Sequence, residues 1–198
     1  MKRNAVKSVS APVAPGRRSW LHQYGEEIQS YGTVRRLALG LSDAVQLYSC
    51  QRLNQLLADV QILHALYKNH HWVTRGPGFF KLHLLFEKHA AEQAELIDAI
   101  AERIQALGGV AVGDPRHVAE ITRIPRAPNG LEAMPAMLSR VLEAHDLILV
   151  DANDAAANVA EHGDSGTQDL IVCEVIRTGD AQVWCLAEYL VNNPVARG

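Results

Sequence analysis

The sequence predicts an all-α chain folded as a bundle of four long helices. Three observations predict it. Apolar residues recur at helical spacing through four long stretches. Clusters of Gly and Pro separate those stretches. No segment shows the apolar–polar alternation of a strand, and no internal repeat is present.

Residues 1–40 read as an N-terminal extension, partly flexible and basic, and 41–198 as the helical domain. The first nineteen residues carry Lys2, Arg3, Lys7, Arg17 and Arg18 and no acid, among Ala, Pro, Ser and Val. Such a composition buries too little to pack alone. Residues 20–40 hold Trp20, Tyr24, Tyr31 and Leu37, and are expected to dock on the domain through a short helix. Ser42-Asp43 marks the start of a first helix over 42–72, with Leu53, Leu56, Leu57, Val60, Leu63 and Tyr67 on one face. Gly76-Pro77-Gly78 breaks it. A second helix runs from Phe79 to Leu107 and stops at Gly108-Gly109. The connection that follows holds Pro115, Pro125 and Pro128, with room for a short helix over 118–122. Asn129-Gly130 precedes a third long helix over 131–162, ended by His162-Gly163. Asp164 or Ser165 would cap a fourth over 166–192, in which Gly179 permits close packing.

Composition bounds the function. At 48% hydrophobic and 21% charged the chain is an ordinary globular one, and a net charge of −3 argues against a generally basic nucleic-acid binder. No run approaches the roughly eighteen apolar residues of a membrane span. The N-terminus lacks the apolar core of a signal peptide, so a cytoplasmic location is expected. Cys50, Cys173 and Cys185 are too few for a disulfide framework and read as buried free thiols.

One stretch carries the chemistry. His83 and Glu87 are four apart, as are Asp98 and Glu102, so each pair sits side by side on a helix. Imidazole with carboxylate suits Fe(II) and similar divalent ions. Glu87 and Asp98 are eleven residues apart, a rise of about 16 Å. One ion cannot be held by both pairs of one straight helix. An antiparallel second copy across a two-fold axis would bring one chain's His83 and Glu87 to the other's Asp98 and Glu102. On a wheel of about 100° per residue these four share one quadrant with Ala90, Ala91, Ala94 and Ala101. Phe79, Leu82, Phe86, Ile97, Ile100 and Ile104 form the neighbouring core stripe. The candidate ligands thus lie beside the core, where a subunit contact would be.

At these residues the chain resembles the Dps family of ferritin-like mini-ferritins. The pattern is His71-Trp72, a turn containing Gly76, His83 twelve residues after the first His, then Glu87, Asp98 and Glu102-Arg103, closing with Leu107-Gly108-Gly109. The match is dense over 65–112 and looser to about 191. Glu87 departs from it, Asp being more familiar there. The resemblance implies a ferritin-like four-helix bundle with a short helix in the long connection, assembled from two-fold dimers into a hollow dodecamer. It implies ferroxidase activity, with His71, His83 and Glu87 of one chain and Asp98 and Glu102 of its partner holding iron, and with hydrogen peroxide the usual oxidant. Ferric mineral would be stored in the shell, protecting DNA from oxidative damage. Trp72 would either donate electrons beside the site or simply pack. Acids at the start of the fourth helix line three-fold pores in the family, which selects Asp164 and Asp169 here. Glu161 clusters with them at the turn before the fourth helix, and the other reading of these acids is ordinary helix N-terminal charge.

Other readings remain open. The five tail cations would grip DNA phosphates with strong salt dependence, placing the protein at the nucleoid, or would only solubilise the shell. A DNA-compacting protein with little ferroxidase activity is the alternative function. A 24-subunit ferritin needs Glu-x-x-His pairs, and the chain has none. Zinc would compete for a His/carboxylate site. His64 and His70 are candidates for an accessory metal role. His22, His89, His117, His145 and His162 read as surface or core histidines.

Overall fold

The computed structural model describes residues 26–191, all of whose long elements are helical. The tail cations Lys2, Arg3, Lys7, Arg17 and Arg18, and His22, lie outside the described residues. Helix α1 spans Asp43–Val73, α2 Phe79–Ala106, α3 Pro115–Ile121 and α4 Met134–Glu161. The last long rod is α5, Ser165–Leu170, a π-helical turn over Ile171–Ile176, and α6, Arg177–Leu190. α1 packs on α2 and α4, α4 packs on the α5–α6 rod, and α3 lies across α1. The result is a ferritin-like four-helix bundle.

Ser42 caps α1 by accepting from the Val45 N–H. α1 ends where Gly76 and Gly78 adopt φ of +85° and +82°, a left-handed backbone that suits glycine. That tight turn makes α1 and α2 an antiparallel hairpin. Leu53, Leu56, Leu63, Phe86, Ile100, Ile104, Val141 and Ile171 fill the core. Each such side chain contributes roughly 1.5–3 kcal/mol of burial.

The crossover is pinned by side chains of α1. Asn54 bonds Val110 and Val112, and Gln61 bonds Val112. Buried Asp59 accepts from Thr122 Oγ1 and the Arg123 N–H, both at 2.7 Å.

Several expectations need correcting. Residues 26–41 dock without a helix: the Arg35 N–H and Gln29 Nε2 both donate to the Gly108 carbonyl, and Tyr31 packs edge-on against His117. The short crossover helix begins at Pro115, because Asp114 caps it. α4 starts three residues later than expected, since Pro135 fits only a first turn and residues 131–133 stay non-helical. Of the three free thiols only Cys50 is buried. Phe79 is not core but 42% exposed. Gly179 does allow close approach: a Cβ there would meet Leu149 Cδ2 at 2.8 Å.

Candidate metal centre

The α1–α2 turn brings His71 and His83 face to face, their rings stacked with centroids 3.7 Å apart. Each Nδ1 lies 2.9 Å from the other residue's backbone carbonyl. A carbonyl only accepts, so both Nδ1 atoms carry the proton. In the neutral ring the remaining lone pair is then on Nε2, the atom a metal would take. The spacing of twelve residues is therefore mechanical: it places the two rings on opposite sides of one turn.

Glu87, one helical turn after His83, sets its Oε2 3.3 Å from His71 Nε2. Lys68 Nζ donates to that same oxygen at 2.6 Å. That bond, with lesser contributions from His71 and His83, holds the Glu87 carboxyl below the usual carboxylate range. A cation thus already sits beside the candidate ligands, and a divalent ion would displace it.

Asp98 and Glu102 lie further along α2, both exposed and without a hydrogen bond or ion pair among the described residues. Arg103, beside Glu102, ties the end of α2 to Asp164 and Thr167. Between the pairs Ala91 and Ala94 are exposed. Exposed large apolar side chains cluster by sequence at the other end of this surface: Trp72 is 69% exposed, Phe80 67%, and Phe79 and Leu84 are open too. Among the described residues no group of three or more His, Cys, Asp or Glu is gathered closely enough to hold a metal ion within one chain. The chain thus presents two separate groups of candidate ligands, one of imidazoles and Glu87 and one of carboxylates without partners among the described residues.

The remaining candidates separate. Asp164 is a correction: it is 1% exposed, caps α5 through the Thr167 N–H and pairs with Arg103 at 2.6 Å. Burial alone would raise its carboxyl, but the hydrogen bonds from Thr167 and the Arg103 charge outweigh it and hold the group low. A carboxylate so occupied does not line a channel. Asp169 is exposed and lines an open cavity of about 550 Å³ with Ser165, Gly166, Gln168, Val172 and Cys173. Glu161 is exposed. His70 points into the bundle, not toward the His71–His83 pair, and burial pushes its imidazole down to about 4. His64 is partly buried, and burial and Lys68 lower its imidazole while Glu87 opposes them. His162 stacks on Tyr48.

Sequence reasoning missed Lys68 and the polar interior. Tyr67, His89, His145, Gln93 and Gln182 are all buried between the helices. Polar residues recurring on core-facing positions were the available signal. Among the described residues no buried carboxylate is hydrogen-bonded to them.

A family model described as a ferritin-like domain matches residues 50–194. The solved structure of DpsC from Streptomyces coelicolor is 59% identical, with a TM-score of 0.84, covering 87% of this chain and all of that one. DNA protection during starvation protein 2 of Bacillus anthracis is 33% identical over 70% of this chain and 93% of its own length. A Vibrio cholerae Dps structure, described as belonging to a broad superfamily of ferritin-like diiron-carboxylate proteins, is 25% identical with a TM-score of 0.73. It covers 82% of this chain and 99% of that one.

Proposed function

The chain belongs to the Dps family of ferritin-like proteins, and on that premise we propose that it is an iron-storing ferroxidase. Fe(II) is its substrate, bound where two copies of α2 meet antiparallel across a two-fold axis. His71, His83 and Glu87 of one chain and Asp98 and Glu102 of the partner hold it, with Glu102 the bridging carboxylate. The observation that carries this reading is the split itself: two imidazoles with Nδ1 locked on backbone carbonyls beside Glu87, and two carboxylates without partners among the described residues, the nearer of which, Asp98, lies about 16 Å along α2 from Glu87.

The protein's groups do the following. The Nδ1–carbonyl locks fix ring tautomer and orientation before iron arrives. Glu87 exchanges its Lys68 partner for the ion. The carboxylates offset the added charge as Fe(II) becomes Fe(III). Two irons give two electrons to one hydrogen peroxide, the preferred oxidant, so that no hydroxyl radical is released. The ferric product is stored inside a dodecamer, supplied through pores lined by Asp169. Zinc competes for the same ligands, since a His/carboxylate set favours it over Fe(II).

The B. anthracis relative is named for DNA protection. Protection here is chemical, by removal of iron and peroxide, with the five cations of residues 1–19 adding phosphate contact multiplied over the shell. The protein is assigned to the cytoplasm, at the nucleoid where DNA is bound. No described helix is long and apolar enough to cross a membrane.

Anaerobic Fe(II) loading, then hydrogen peroxide, then size-exclusion chromatography tests the reading. Rapid ferric formation co-eluting with a particle near twelve subunits is expected. Asp98→Ala and Glu102→Ala shells should assemble and lose that activity. Oxidation no faster than in buffer refutes it. For the tail, a gel shift at several salt concentrations should weaken when residues 1–19 are removed.

A further inference from the structure

Inside the bundle, Tyr67 Oη lies 2.6 Å from His145 Nε2, both residues being almost wholly buried. No other acceptor faces the phenol among the described residues, so its hydroxyl donates to that nitrogen. Beside this pair Gln182 donates to Glu92 Oε2 at 2.8 Å and to the His89 carbonyl at 3.4 Å, while Gln93 donates to Gln182 at 3.0 Å. Glu92 is part-exposed, so the polar interior beside the buried phenol and imidazole reaches a carboxylate near solvent. His89 stands edge-on to the Tyr67 ring at 5.3 Å. It is fully buried, and neither ring nitrogen has a partner among the described residues. Burial pushes the Tyr67 phenol up and the His145 imidazole down to about 3, so both are neutral at rest. An apolar core would need none of these groups, and burying unmet ring nitrogens is costly.

Tyr67 is also one helical turn before His71, a Cβ separation of about 5–6 Å, and its ring lies 6.1 Å from Phe86, the residue before Glu87. A phenol with a poised base, one turn from an iron–peroxide site, is arranged to lose an electron and a proton to different acceptors.

We propose that Tyr67 and His145 form a redox pair that quenches one-electron oxidants born at the interface site. The source is one Fe(II) meeting peroxide without a second iron, which yields Fe(III), hydroxide and hydroxyl radical. The Tyr67 electron reduces the radical to hydroxide while the phenolic proton passes to His145 Nε2. This leaves a neutral tyrosyl radical and an imidazolium. A later Fe(II) returns the electron and His145 returns the proton, so the sum is hydroxyl radical plus Fe(II) giving hydroxide plus Fe(III). The proposal rests on the ferroxidase reading for its oxidant, and the reactivity of the pair is separable from it.

The test has two arms, both read by freeze-quench electron paramagnetic resonance on intact shells. One uses peroxide with Fe(II) below one per site. The other uses azide radicals generated by pulse radiolysis of iron-free protein. A tyrosyl signal is expected in both arms and lost in Tyr67→Phe, which keeps the ring. Spin-trapped hydroxyl radical should then rise in the iron arm. His145→Leu should leave the radical short-lived and shift its g-values, since the hydrogen bond is gone. His145→Gln should rescue part of that shift. A signal unchanged in Tyr67→Phe, or g-values unchanged in His145→Leu, overturns the pair. A Tyr67 radical in the azide arm with no ferric formation in the iron arm upholds the pair and refutes the ferroxidase reading instead.

Discussion

Replacing Asp164 with Ala removes a buried anion that serves three groups at once. Its carboxylate caps α5, accepts from Thr167 Oγ1 at 2.6 Å and pairs with Arg103 at 2.6 Å. A lost cap costs about 1 kcal/mol. Deleting one partner of a buried pair costs about 3–5 kcal/mol. Arg103 keeps 26% side-chain exposure and recovers water, which trims that figure. A net loss of about 2–4 kcal/mol follows, and at about 2–4 °C per kcal/mol for a chain of this size the melting point falls by about 4–16 °C. The assay is thermal unfolding by circular dichroism, at one protein concentration because assembly contributes. Asp169→Ala is the control, exposed and expected to stay within about 0.5 kcal/mol of the parent. The pH dependence has a defined sign. The folded carboxyl is depressed, so its stabilisation is full above the unfolded value near 3.9. It disappears as pH falls through the folded value, and the Asp164→Ala deficit should close below about pH 4. Equal melting points for the two variants, or a deficit that persists in acid, would refute the argument. Iron uptake well below the melting point should slow in Asp169→Ala and not in Asp164→Ala.

Three further outcomes follow. Lys68→Met should tighten Fe(II) binding several-fold in anaerobic titration, because Glu87 no longer exchanges an ammonium for the metal. Weaker binding would make Lys68 a positioning group instead. Gly108→Ala should cost at least about 1–2 kcal/mol, since its φ is +84° and a Cβ would collide with the Arg35 carbonyl. Limited proteolysis should then cut within 26–41, and resistance equal to the parent contradicts the docking role. Zinc added before Fe(II) should suppress peroxide-driven ferric formation in proportion to the sites filled, and full activity in saturating zinc would separate the two ions' sites.

The fold was legible because its helices alternate with turn signals: Ser42, Gly76-Pro77-Gly78 and Gly108-Gly109 all fall at helix ends. The π turn over Ile171–Ile176 has no local mark, since its apolar residues read as ordinary helix. The placement of His83, Glu87, Asp98 and Glu102 along α2 was legible as spacing, which depends on rise and rotation alone. The tautomer locks of His71 and His83 were not, because they depend on backbone carbonyls brought across a turn. Asp164 was misread because its sequence neighbourhood is a solvent-facing turn. Only the packing of α2 against α5 puts Arg103 over it. His70 and His71 are adjacent, yet one helical step turns one ring into the core and the other toward His83.

The central claim is that each iron site is built from two chains, and co-assembly of two inactive variants tests it most directly. His83→Ala breaks one half-site and Asp98→Ala the other. In a random mixture half of the dimers are mixed, and each mixed dimer holds one intact site and one doubly broken site. Peroxide-driven iron oxidation should therefore recover to about one quarter of the wild-type rate, as an isologous two-fold contact requires. No recovery above either variant alone, in shells shown by mass spectrometry to contain both chains, would contradict the shared site.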